Sequence, residues 1–157
     1  MNLALWVLQI LWGAFFIVSG GGKALCFRAA LWERALQQIP WLPGVPRALF
    51  VFIGVSEFLG GLGLILPAIT RVKPRLTPLA AAGLATVMIL ASAFHLVRGE
   101  FAFMCLTLVL GAVAGFVAYG RLVLKPIAEE PITQKAVLKG LAATVVALLL
   151  VFGTLPK

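Results

Sequence analysis

Glu57 falls near the middle of an apolar run, Ala48 to Pro67, that is long enough to cross a bilayer. An ionisable carboxyl at that depth costs roughly 3 kcal/mol on insertion scales, so it should face the protein interior and have a partner. Gly60 and Gly61 follow one helical turn later, on the same face. Small residues there let a neighbouring helix approach the carboxylate. Lys23, His95 and Glu100 are the candidates to share a pocket with Glu57, and Cys26 and Cys105 are candidate redox thiols. A carboxyl, an amine and an imidazole in a low-dielectric interior can bind or protonate the polar head of a ligand, and a thiol pair can relay electrons. Blander readings stand beside these. Glu57 equally suits a structural ion pair locking two helices, His95 an interfacial histidine near a helix end, and each cysteine a small packing residue.

Several chemistries are excluded or disfavoured. The chain has no Asp, so a Ser–His–Asp set cannot form, and no carboxylate pair for hydrolysis is evident. With one His, bis-His haem ligation within the chain is impossible, and no metal site is expected. Gly20-Gly21-Gly22-Lys23 lacks the spacing and the following Ser or Thr of a phosphate loop.

The elements that must position these groups are membrane helices. Of 157 residues, 62% are hydrophobic and 11% charged, with a mean hydropathy of +1.11. A soluble domain is nearer one half and one quarter, so hydrocarbon is the expected solvent. Five runs qualify as spans: Leu3 to Gly22, Ala48 to Pro67, Thr77 to Val97, Phe101 to Tyr119 and Ala136 to Leu155. The first has no basic leader and no small-residue cleavage motif, and reads as a retained span. Residues 24–39 form an amphipathic interfacial segment, with Leu25, Trp32, Leu36 and Ile39 opposite Glu33, Arg34, Gln37 and Gln38. Pro40, Pro43 and Pro46 then impose an extended return, with Trp41 at headgroup level. Gly111 and Gly115 make a small-residue packing face in the fourth run.

The net charge of +8 comes mostly from basic residues in the linkers and lacks a basic stripe with interleaved aromatics, so it sets topology, and no nucleic-acid partner is expected. Arg71, Lys73, Arg75, Arg121, Lys125 and Lys135 on one side balance Lys23, Arg28, Arg34, Arg47, Arg98 and Lys157 on the other. Lys139 and the N-terminal amine tip the balance toward a cytoplasmic N-terminus. The alternation of spans puts Lys23, Cys26, Glu57, His95, Glu100 and Cys105 in one half of the membrane whichever way the chain is oriented. A polar pocket follows, with Glu57 deepest, Lys23 and His95 nearer the rim, and the Lys23 ammonium neutralising the carboxylate.

These residues resemble the DoxX-like family of small integral membrane proteins. The likeness runs from about residue 5 to 119. It rests on Phe16-Ile17-Val18-Ser19-Gly20-Gly21-Gly22-Lys23, on the second-helix pattern from Gly54-Val55-Ser56-Glu57 to Leu64-Ile65-Leu66-Pro67, and on Ala91-Ser92-Ala93-Phe94-His95 with Arg98-Gly99-Glu100. The resemblance implies an all-α membrane protein: a DoxX-like four-helix transmembrane bundle over residues 1–119 with the glutamate packed inside. Beyond it lie a linker, 120–135, and a fifth C-terminal transmembrane helix within 136–157, which departs from the family pattern and suggests a lipid- or partner-facing addition. Family members are linked to quinone-coupled sulfur oxidation and membrane oxidoreductase complexes, and an animal relative resembles an assembly chaperone for receptor channels.

Three functions remain open. The first is an accessory or assembly subunit of a larger membrane complex, redox-related and not itself an enzyme. The second is a quinone-linked oxidoreductase using Glu57, Lys23 and His95, with quinone as the one cofactor to consider. The third is a small transporter or lipid-binding protein, though no inverted repeat is visible. The expected partners are the lipid bilayer and other membrane subunits, and the expected location is a multi-pass position in the bacterial inner membrane.

Overall fold

The computed structural model describes residues 2–153. It contains α1 (Asn2–Ala24), a 3-10 turn (Leu25–Phe27), α2 (Ala29–Gln38), α3 (Arg47–Thr70), α4 (Leu76–Val97), α5 (Phe101–Tyr119), a π turn (Gly120–Leu124) and α6 (Gln134–Gly153). Five helical segments are long and apolar enough to cross a membrane. Their outer faces carry Leu79, Ile89, Leu90, Leu106 and Val109, each more than half exposed. A surface that apolar is untenable in water and normal in lipid. The chain is a multi-pass membrane protein.

The four-helix bundle closes in a ring. α1 runs along α3, α3 packs on α4, α4 runs along α5, and α5 returns to α1. Phe16, Leu64, Leu84, Met88, Ala114 and Val117 fill its centre. Without water to drive helices together, packing and interhelical hydrogen bonds must hold the ring. The Trp12 indole N–H donates to the Leu110 carbonyl at 3.1 Å, and Gln9 Nε2 donates to the Leu64 carbonyl at 2.7 Å.

Where the observed ends differ from the sequence expectation, a specific contact explains each. α3 continues past Pro67 to Thr70, because the Thr70 hydroxyl donates to the Leu66 carbonyl (2.7 Å) and accepts the Val72 N–H (3.3 Å), before left-handed Arg71 (φ 58°) ends the helix. The linker expected at 120 begins only after Leu124, since the π turn prolongs α5. That turn buries Arg121, whose Nε donates to Gln9 Oε1 at 2.8 Å and Nη1 to Asn2 Oδ1 at 2.9 Å, with the guanidinium over the Trp6 ring. The sequence offered Arg121 only as loop charge. In the structure it pins α5 to α1.

The expected amphipathic segment is α2 with its leading 3-10 turn. Leu31, Trp32, Leu36 and Ile39 pack with Ala35, Cys26 and Phe50, so α2 lies on the end of the bundle. The proline segment is not the extended return expected. Consecutive turns (Leu42 N–H to Ile39 O, 3.1 Å; Val45 N–H to Leu42 O, 3.0 Å) bury Leu42 and Val45 beside Phe50. Apolar residues between the prolines take that space because it is the nearest dry surface.

α6 seats Ala147 and Val151 against Ile17, with Leu62 and Ile65 of α3 alongside. Its other face (Leu138, Leu141, Val145, Leu149) is exposed. The fifth helix is therefore docked on α1 and α3 and apolar outward. Thr154 and Leu155, the expected end of that run, lie outside the described residues.

Candidate functional site

Close approach of α1 and α3 creates the site. A Cβ added at Gly20 would lie 2.4 Å from the Phe58 nitrogen, and one at Gly54 would lie 2.4 Å from the Ala24 nitrogen. Both obstacles are backbone, so only glycine allows the approach. One turn from each glycine stand the functional groups. Lys23 Nζ donates to Glu57 Oε1 at 2.7 Å and to Oε2 at 2.6 Å, and Ser19 Oγ donates to Oε2 at 3.2 Å. Ser19 and Lys23 are four residues apart and share one face of α1. The Glu57 side chain is 2% exposed and that of Lys23 21%. The carboxylate thus has three donors and almost no water.

The expected packing glycines divide. Gly61 admits α1 (a Cβ there would be 2.7 Å from Gly13 O), and Gly60 admits the Leu84 side chain of α4. A Cβ added at Gly111 would lie 3.0 Å from Met88 Cβ, whereas one added at Gly115 would meet nothing within 4 Å, so no close helix approach depends on glycine at that position.

The ion pair lines a cavity of about 430 Å³ bounded by α1, α3, α4 and α5. Phe16, Val87, Met88 and Leu110 form part of its apolar walls. Leu49, Phe52, Leu90, Phe94 and Leu106 also line it and are exposed on the membrane-facing surface, so the cavity opens sideways into the bilayer. Trp41, His95 and Phe103 line it as well.

His95 shares this cavity but does not partner Glu57. Its Nδ1 is 2.6 Å from Glu100 Oε2, while Arg98 Nε donates to Glu100 Oε1 at 2.8 Å. With the carboxylate accepting, His95 carries its proton on Nδ1. The ring stacks on Phe103 (5.4 Å) and meets Trp41 edge-on (5.2 Å), and Arg98 Nη2 donates to the Trp41 carbonyl at 3.2 Å. Glu100 is a positioning group here, since it holds the imidazole that lines the cavity.

The hydrogen bond from His95, then that from Arg98, hold the Glu100 carboxyl below its ordinary range. A carboxyl depressed in the folded state adds stability above its unfolded pKa and loses it as pH falls through the folded value. Relative to Glu100→Gln, the native protein's advantage in thermal midpoint should therefore not shrink between about pH 8 and pH 5, and should decline as pH falls below about 4. An advantage that collapses in the higher interval would contradict this assignment.

The two cysteines are not brought together. Both are free thiols. Cys26 is buried, its Sγ 3.4 Å from the Gly22 carbonyl and 3.8 Å from that of Leu31, while Cys105 is exposed on α5. The thiol relay considered from sequence has no geometry here. Among the described residues, no three His, Cys, Asp or Glu side chains gather as a metal ion would require. Sequence reasoning missed Ser19 as a partner of Glu57, and it missed the cavity roles of Trp41 and Phe103.

A family model described as the DoxX-like family matches residues 7–117. The matched stretch contains Lys23, Glu57, His95 and Glu100 and stops before α6. Comparison with curated proteins and with solved structures gives no match.

Proposed function

The chain belongs to the DoxX-like family, and on that premise we propose that it is an accessory subunit of a larger membrane redox complex, to which it contributes a quinone pocket. One observation carries this reading: an apolar cavity open to the bilayer has a Lys–Glu–Ser cluster with a buried carboxylate in its wall.

The residues present fit a quinone. The volume of about 430 Å³ lies within the range of small-molecule sites, which are mostly apolar with a few convergent polar groups. Aromatic and aliphatic walls suit a flat ring and an isoprenoid tail. Lys23 has three N–H donors, and after the two to Glu57 one is left for a carbonyl oxygen. When bound, a quinone supplies reversible two-electron, two-proton chemistry. Within the chain, Lys23 holds a proton at Nζ beside the cavity, Glu57 fixes that ammonium, Ser19 fixes Glu57, and the apolar walls exclude water. His95, set by Glu100, offers a second polar edge. The separated thiols leave electron supply to a partner subunit, and the exposed outer face of α6 is a surface such a subunit would cover. We place the protein in the bacterial inner membrane with a cytoplasmic N-terminus.

The test is direct binding. A short-tailed benzoquinone titrated into the protein in nanodiscs should quench tryptophan fluorescence saturably, and Trp41→Phe should remove most of the quenching. Lys23→Met should raise Kd at least about tenfold, as expected for one lost charge-assisted hydrogen bond. Non-saturable quenching, unchanged in Lys23→Met, would reject the pocket. Displacement of the quinone by phospholipid at equal concentration would favour a lipid-binding role instead.

A further inference from the structure

A second cavity, of about 360 Å³, lies beneath α2. Its polar lining is Ser19, Lys23, Arg34 and Gln38, with Gly22 and Cys26 beside them. Ser19 and Lys23 line both this cavity and the apolar one, whereas Glu57 lines only the apolar one. The ion pair therefore stands in the partition between two cavities, both mostly apolar, of which the one beneath α2 has the larger polar share. The first opens among lipid-facing side chains. The second lies under an amphipathic helix whose Arg34 and Gln38 are exposed.

We infer that the cavity beneath α2 is an aqueous vestibule, through which the Lys23 ammonium exchanges protons with one face of the membrane. This rests on the reading of the Lys23–Glu57 pair as a working site. A cavity holds water when it is roomy and offers two or more polar partners, and each water takes up about 30 Å³. This one meets both conditions, with the hydroxyl, ammonium, guanidinium and amide already named. The exposure of Lys23 beside a nearly inaccessible Glu57 fits the same arrangement: the cation touches water and the carboxylate does not. Transfer of a proton from Nζ to a basic ligand oxygen in the apolar cavity would break one N–H bond and form one O–H bond. A proton delivered through vestibule water would re-form the N–H bond and restore the ammonium, so the apolar cavity never has to admit water. Because α1 crosses the membrane once between Asn2 and Lys23, the vestibule faces the side opposite the N-terminus.

Site-directed labelling tests this without any ligand. In a Cys26→Ser, Cys105→Ser background, Gly22→Cys and Gln38→Cys probe the vestibule from α1 and from α2. A Cβ at residue 22 meets nothing within 4 Å, so the side chain fits. Phe52→Cys probes the mouth of the apolar cavity. In sealed, orientation-sorted proteoliposomes, a charged, membrane-impermeant methanethiosulfonate should modify both vestibule thiols from the side opposite the N-terminus only. It should do so at least about tenfold faster than it modifies Phe52→Cys, because thiolate formation needs water. N-ethylmaleimide, which enters bilayers, should label all three. Plugging the vestibule at residue 22 should slow deuterium exchange of the Lys23 ammonium, followed by infrared spectroscopy of lysine-labelled protein. Resistance of both vestibule thiols to the charged reagent, or exchange unaffected by the plug, would overturn the inference. Failure of quinone binding with labelling intact would reject the quinone reading and leave the vestibule standing.

Discussion

Lys23→Met should destabilise the protein by about 3–5 kcal/mol, the usual cost of removing one partner from a buried ion pair. The Glu57 carboxylate would keep only the Ser19 hydroxyl. Glu57→Leu should cost less, about 1–2 kcal/mol, because the Lys23 side chain is partly exposed and its long stem lets the charge turn toward water. The double variant Lys23→Met/Glu57→Leu removes both charges together and should recover to within about 1 kcal/mol of the native protein, as buried pairs replaced by apolar side chains commonly do. Reversible unfolding in mixed micelles provides the measurement. A double variant as unstable as the two single losses combined would show that the side chains do not act as a pair.

The second large effect should come from backbone proximity. Gly20→Ala and Gly54→Ala each drive a methyl group to 2.4 Å from a main-chain nitrogen of the facing helix. Neither obstacle is the flexible end of a side chain, so α1 and α3 must separate. Overpacking costs 1–3 kcal/mol and occasionally more, and about 3 kcal/mol is expected at each position. Separation would also pull Lys23 away from Glu57, so these variants should weaken quinone binding without touching the cavity wall. Gly83→Ala and Gly115→Ala are the controls. Their added Cβ meets nothing, and replacing a helical glycine should be neutral or gain up to about 1 kcal/mol. Equal losses at all four positions would remove the argument that the seam depends on glycine.

How far the sequence revealed this protein depends on what each residue had to satisfy. The spans were legible because a bilayer demands some twenty apolar residues in succession, and few other pressures produce such runs. The Glu57–Lys23 partnership was legible for a related reason. A charge at membrane depth must find a counterion, and alternation of spans limited the search to one half of the bilayer. Glycine was harder. Gly54, Gly61 and Gly115 look alike in an apolar helix, yet a Cβ added at either of the first two would strike the backbone of α1 and one added at the third would meet nothing. Only the rotation of each helix separates them, and that rotation is set by neighbours. Trp41 read as a headgroup anchor because tryptophan favours the membrane interface and its proline segment was expected to be extended. It lines the cavity because turns at Leu42 and Val45 fold that segment inward. Arg121 read as linker charge because the π turn that carries it inward has no sequence mark.

The account stands most directly on quinone binding to Lys23→Met/Glu57→Leu. In this variant the fold is expected to survive while the polar group beside the apolar cavity is gone. Titration of the short-tailed benzoquinone into the double variant, with native-like stability confirmed in the same sample, should show Kd raised at least about tenfold. Native affinity in that folded, uncharged protein would contradict the claim that this ion pair receives the ligand.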